Sequence, residues 1–178
     1  MPAEDLAREV KMLICDVDGV FTDGGLYYDE SGRVSKRFNV QDGFGVKLAQ
    51  RMGLEVGVIT GLESEAVRLR ILELGIREYH AGHRKKKAVL EDICHRNGLD
   101  YAHLAYLGDD WVDAAPLALV RLPMAVANAQ EEIKDMAAWV SAYPGGNGAV
   151  RDAIRFILRA QGSLDQAWHL WSQASDRA

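Results

Sequence analysis

Three aspartates, Asp16, Asp18 and Asp23, stand within the stretch LICDVDGVFTDGG, directly after an apolar run. A second acidic group, Asp109 and Asp110 with Asp113 close behind, follows the apolar run LAYLG. In an open parallel sheet, ligands bind beyond the carboxyl ends of the strands. If the strands before Asp16 and Asp109 are neighbours, their carboxylates converge. Left uncompensated, such buried charge is strongly destabilising. A hard divalent cation removes that penalty. Mg2+ takes oxygen ligands, is held by one or two carboxylates, and keeps waters that a phosphate can replace. The residues therefore predict a Mg2+ site made by Asp16 and Asp109, with Asp18 alongside. A calcium loop of the EF-hand type fails. Counting from Asp16, it needs Asp or Asn where Val20 stands and Gly where Phe21 stands. A lone Asp-x-Asp reads best as a turn or cap. Its recurrence with a second acidic cluster after a buried-type strand turns the balance toward a site.

Two further segments suit an anionic ligand. VITG ends a predicted strand in Thr60 and Gly61. A hydroxyl beside a free backbone N–H suits a phosphate oxygen, although Thr-Gly is also a common turn. The basic run HRKKK, residues 83–87, sits where a helix begins. A basic run is ordinarily a solvated surface. Cations at a helix start, however, oppose the helix dipole by about 0.3–1 kcal/mol each. A phosphate and a row of aspartates would offset that, so at least one of these lysines is expected to enter the site.

These groups need a scaffold that brings strand ends together. KMLIC, LEVGVIT, LAYLG and the shorter PMAVA read as buried strands. Helical spacing runs from Ser64 to Leu74, from Lys86 to Asn97, and from Ala149 to Gln161, with Gly75 and Gly98 as stops. Strands alternating with helices predict an α/β fold: a Rossmann-like parallel sheet with helices on both faces. The stretch 24–40 has no helical period and reads as a β-hairpin around Asp29-Glu30-Ser31-Gly32, inserted after the first strand. Nothing marks a second domain, so residues 1–178 are expected to form one. The tail 163–178 places Leu164, Ala167, Trp168 and Trp171 on one helical face. That face packs either on a neighbour or back on its own domain.

The net charge of −5 argues against a nucleic-acid backbone binder. No apolar run reaches the roughly 20 residues of a membrane span. The acidic, amphipathic start MPAEDLAREV does not read as a signal peptide. Two cysteines, Cys15 and Cys94, fit a reduced, cytoplasmic protein.

In order along the chain, the set is DVDGVFTDG, ITG, a Lys at a helix start, and GDDWVD. This resembles the haloacid dehalogenase superfamily of aspartate-nucleophile phosphatases. FNVQDGFGVK, LGDDWVD, GGNGAVRD and RAQGSLDQA are similar to its small capless members that act on 3-deoxy-D-manno-octulosonate 8-phosphate (KDO 8-phosphate). The resemblance implies Mg2+ held by the Asp16 carboxylate, the Asp18 carbonyl and Asp109. It implies Asp16 as nucleophile and Asp18 as acid, then base. Thr60 and Gly61 would bind the phosphoryl oxygens, Lys86 would neutralise the reacting groups, and Asp110 and Asp113 would support the metal's waters. Asn39, Val40, Gln41, Asp42, Gly43, Lys47 and Arg70, together with Asp18, match substrate contacts. Relatives usually carry Arg at Gln41 and at Leu62, and Arg grips a sugar-acid carboxylate bidentately. Arg37, Lys47, Arg68, Arg70 or Arg151 are the candidates to compensate. The departure leaves open a nine-carbon sugar-acid 9-phosphate as substrate, or a catalytically silent scaffold. There is no room for a separate cap domain. The resemblance therefore implies a homotetramer, with Tyr27, Tyr28 and Phe38 of the hairpin in the interface.

Overall fold

The computed structural model describes residues 1–174. In chain order the elements are α1 (Ala3–Ala7), β1 (Met12–Cys15), β2 (Tyr27–Tyr28), β3 (Val34–Ser35), α2 (Val40–Arg51), β4 (Glu55–Ile59), α3 (Glu65–Leu74) and β5 (Glu78–His80). Then follow α4 (Lys86–Asn97), β6 (Leu104–Gly108), α5 (Ala114–Leu117), β7 (Leu122–Ala125), α6 (Glu131–Met136), β8 (Trp139–Val140), α7 (Ala149–Ala160) and α8 (Leu164–Ala174).

Six strands form a sheet in the order β5-β4-β1-β6-β7-β8, every pair parallel. β1 and β6 are buried along their whole length. This is why both read as unbroken apolar runs: parallel strands covered on two faces have no polar side. From β1 the chain builds outward through β4 and β5, then returns to the other side of β1 with β6. The strand order reverses there, and a crevice opens at such a switch point. One helical layer packs α2 along α7, with α1 and α8 also against α7; another joins α4, α5 and α6.

The predicted strands and helices are present, with α3, α4 and α7 within a residue of their expected bounds. Among the elements that carry no clear pattern in the sequence are β5, β8 and α2. β5 and β8 are short strands at the sheet edges, half-buried or less. α2 contains Gly43 and Gly45, which blur its helical period. Their missing side chains let neighbours close in. A Cβ on Gly43 would stand 2.1 Å from Arg70 Nη2, and one on Gly45 would stand 3.1 Å from the Arg151 Cα.

The hairpin is there, but its paired part is only β2 with β3. Asp29 Oδ1 closes its turn by accepting from the backbone N–H groups of Ser31 (2.8 Å) and Arg33 (2.9 Å). Asp23 launches it, accepting from Gly25 N at 2.9 Å and the Tyr27 hydroxyl at 2.6 Å. Tyr27 and Tyr28 are exposed, while Phe38 leans on the core. Helix α8 folds back on its own chain. Ala167 is buried, and the Trp171 ring meets Phe44 edge-on at 4.6 Å, while Trp168 stays exposed. No helix among the described residues is long and apolar enough to cross a membrane.

Candidate active site

The ends of β1, β4 and β6, with the start of α4, meet around a cleft of about 360 Å3. Asp16 and Asp18 come from the exit of β1, Thr60, Gly61 and Leu62 from β4, and Asp109, Asp110 and Val112 from β6; Arg84 and Lys86 come from the segment entering α4.

Lys86 is the charged floor of this cleft. Its side chain is 1% exposed, and its ammonium lies 2.9 Å from Asp16 Oδ2 and 2.7 Å from Asp113 Oδ1. It also donates to the Tyr106 hydroxyl at 3.1 Å. Tyr106 in turn donates to Asp113 Oδ1 at 2.7 Å. The other Asp113 oxygen accepts from the backbone N–H of Asp109 at 3.0 Å. Asp113 is thus fully engaged in aiming Lys86 and the loop after β6. Asp110 caps the 3-10 turn at Trp111–Asp113 and accepts from Trp111 N at 2.6 Å. Tyr106 gives no sign of being a site residue in the sequence, because inside LAYLG it reads as core. Burial, followed by the neighbouring Asp113 charge, holds its phenol well above the usual range.

Asp16 Oδ1 accepts from Val17 N at 2.7 Å. Burial and the Asp113 charge push the Asp16 carboxyl up to about 6 despite Lys86. Asp109 is pushed further, to about 8, chiefly by burial, then by the charges of Asp113, Asp16 and Asp110. Its Oδ1 is buried and finds no hydrogen-bond partner among the described residues. Oxygens of Asp16, Asp109 and Asp113 lie within 4.8 Å of one another. An all-carboxylate donor set with an orphaned oxygen fits a hard divalent ion such as Mg2+. Asp16 and Asp109 line the cleft and Asp113 does not, so those two are the carboxylates that face such an ion. Gly19 is what lets Asp109 approach. It has φ +86°, and a Cβ there would stand 1.9 Å from Asp109 Oδ2.

Asp18 is met by a residue the sequence did not single out. Lys36, just after β3 on the returning arm of the hairpin, forms an ion pair with the Asp18 carboxylate. The Lys36 side chain is 6% exposed, so the hairpin base delivers a nearly buried cation to the cleft edge.

The other expected substrate contacts also have local partners. Asn39 caps α2, accepting from Gln41 N at 2.8 Å. Asp42 is buried and accepts from Gly148 N at 3.1 Å and Arg151 N at 2.9 Å, so it caps α7. Gly43 is covered by Arg70, which pairs with Glu73 at 2.8 Å. Lys47 donates to the Leu74 carbonyl at 2.8 Å, at the end of α3. Val40 and Gln41 line a separate cleft beside Arg151 and Arg155. The structure therefore gathers Asp16, Asp18, Thr60, Gly61, Lys86, Asp109 and Asp110 around one cleft, and places the 39–43 segment, Lys47 and Arg70 outside its lining. Loop 144–148 packs behind the aspartate loop, with Gly146 N donating to Val20 O at 2.9 Å.

Residues 71–154 match the haloacid dehalogenase-like hydrolase family. The chain is 37% identical over 161 residues to the KDO 8-phosphate phosphatase KdsC of Escherichia coli (strain K12), covering 90% of this chain and 86% of that one. This chain belongs to that family of haloacid dehalogenase-like hydrolases. The corresponding phosphatase of Haemophilus influenzae is 39% identical over 155 residues, 87% of this chain and 86% of its own. A crystal structure of the Moraxella catarrhalis KDO 8-phosphate phosphatase, in complex with magnesium, phosphate and KDO, superposes with a TM-score of 0.92 at 32% identity. It covers 95% of this chain and 97% of that one. The family thus has a member crystallised with the metal that the donor set here fits.

Proposed function

We propose that this chain is a Mg2+-dependent phosphomonoesterase that hydrolyses KDO 8-phosphate to KDO and phosphate, a step of lipopolysaccharide precursor synthesis. The observation that carries this is the Asp16–Lys86–Asp113 cluster, with Asp18 and Asp109 on the same cleft, in a chain of this family.

Asp16 is the nucleophile. Its carboxylate oxygen forms a bond to phosphorus as the bond from phosphorus to the sugar oxygen breaks. Asp18 gives its proton to that leaving oxygen. Asp18 then takes a proton from water, which attacks the same phosphorus and frees Asp16 and inorganic phosphate. Lys36 holds the Asp18 carboxylate at the cleft edge through their ion pair. Lys86, fixed by Asp113 and Tyr106, keeps Asp16 aimed and lends positive charge to the transferring group. Thr60 and Gly61 bind phosphoryl oxygens. Asp16 and Asp109, with the Asp18 carbonyl, would hold Mg2+, and Asp110 and Asp113 would support its waters. When bound, the ion neutralises charge on the phosphoryl group and the carboxylates.

We assign the protein to the cytoplasm, in keeping with its two free, buried cysteines. We also propose a homotetramer. Tyr27, Tyr28 and Val34 are exposed on a two-stranded ribbon, which is poorly stable alone. Sedimentation at micromolar concentration tests that assembly, and a monomer refutes it. A nine-carbon sugar-acid 9-phosphate is the second substrate reading, favoured only by Leu62, an uncharged residue on the cleft. Comparing kcat/KM on the two sugar phosphates decides between them. The chemistry is tested by Asp16→Asn. Phosphate release should vanish while the circular dichroism spectrum is kept; a variant that retains most of its turnover refutes the mechanism.

A further inference from the structure

The phosphoryl end and the carboxylate end of a sugar-acid phosphate need separate cations. The floor of the cleft supplies one. Lys86 is buried there and committed to Asp16, Asp113 and Tyr106. The rim supplies another. Arg84 is exposed, lines the same cleft, and among the described residues has no ion pair or hydrogen bond. Its Cγ lies 3.6 Å from where a Cβ on Gly61 would stand, so the side chain packs beside the exit of β4.

The five cations weighed from sequence to replace the missing arginines are held elsewhere. Arg37 ties the hairpin to Gly146 (3.2 Å) and Asn147 (3.1 Å). Arg68 and Arg70 pair with Glu65 and Glu73 on their own helix, and Lys47 holds the end of α3. Arg151 lies over the Phe44 ring, 4.8 Å from its centroid.

We infer that Arg84 is the residue that recognises the substrate's carboxylate, and so selects sugar-acid phosphates over neutral ones. This rests on the proposed phosphatase function and deepens it. With the phosphoryl group at the buried floor beside Asp16 and Lys86, the rest of the substrate extends toward the rim. There it meets Leu62 and Val112, both about half exposed, which offer an apolar wall but no charge. The guanidinium is the group at that rim able to grip a carboxylate with two parallel hydrogen bonds. The substrate's carboxylate is remote from the breaking bond, so the contact should act mainly on KM.

The test compares KDO 8-phosphate with a carboxylate-free sugar phosphate, D-arabinose 5-phosphate, on wild type, Arg84→Ala and Arg84→Lys, all with Mg2+. Arg84→Ala should lower kcat/KM for KDO 8-phosphate by about ten- to a hundredfold more than for arabinose 5-phosphate, mostly through KM. Arg84→Lys should recover only part of that ratio. An equal loss on both substrates overturns the inference, because Arg84 then serves the phosphoryl group or the loop. No loss on either overturns it as well. The parent reading fails separately, on wild type alone, if KDO 8-phosphate is turned over no better than arabinose 5-phosphate.

Discussion

Replacing Asp109 by Asn should make the metal-free protein more stable at alkaline pH while removing its response to Mg2+. The carboxyl is held near 8 in the folded state instead of its ordinary 3.8. Folded Asp109 therefore keeps its proton where the unfolded chain has lost it. Stability from this group is complete below about pH 4 and is lost as pH rises through about 8. At 1.36 kcal/mol per pH unit, the gap from 3.8 to about 8 sets a ceiling of about 5 kcal/mol near pH 8. Asp109 is only partly buried and its cleft opens to water, so screening reduces this to about 1–3 kcal/mol. For a chain of this size that is roughly 2–12 °C in Tm. The assay is thermal unfolding of both proteins at pH 5.5 and pH 8, stripped of metal and with added MgCl2. Wild type should lose Tm between the two pH values more steeply than Asp109→Asn, and MgCl2 should restore it only in wild type. Asp16 titrates in both proteins, so its contribution largely cancels in the comparison. A variant less stable than wild type at pH 8 without metal refutes the reasoning, as does one that MgCl2 stabilises equally.

Lys86→Met strands Asp16 and Asp113 as buried, uncompensated charges. It should cost about 3–5 kcal/mol in urea unfolding at pH 8, and less near pH 5 as Asp16 takes up a proton. Asp42→Ala removes two acceptors at the start of α7 and should cost about 1–3 kcal/mol, read as a lower urea midpoint with the same slope. Gly19→Ala places a methyl in the Asp109 carboxylate and strains a left-handed turn. The Mg2+ concentration for half-maximal turnover should rise at least about tenfold, where one tenfold step is 1.4 kcal/mol of binding.

Much of the cleft is written in local patterns. Asp16, Asp18 and Asp109 follow strands covered on both faces, whose unbroken apolar runs announce themselves. Lys86 stands out because a basic run at a helix start calls for an anion. The remaining parts depend on contacts between distant segments. Lys36 reaches Asp18 only because the hairpin folds back over the exit of β1. Tyr106 is one apolar-looking residue among five in β6 until Asp113 and Lys86 meet its hydroxyl. Asp42 looks like a ligand-binding acid in a polar segment, yet it caps a helix that begins more than a hundred residues later. Helix α2 is hidden by glycines whose purpose is visible only beside Arg70 and Arg151. The edge strands β5 and β8, of three and two residues, are too short to show a period.

The parallel pairing of β1 also sets the order of events as the chain folds. Met12 pairs with Glu55 on one side and with Leu104 on the other. Parallel pairs this far apart in sequence close slowly, since a long loop must be ordered before any contact rewards it. The last of these closures, β6 onto β1, is also the one that drives Asp109 against Asp16. Their repulsion is therefore tied to the longer-range, slower of the two closures. Without metal, refolding should slow as pH rises from 6 to 8, and Mg2+ present in the refolding buffer should abolish that slowing. The cation would then act as an assembly factor for the sheet itself, before any substrate arrives.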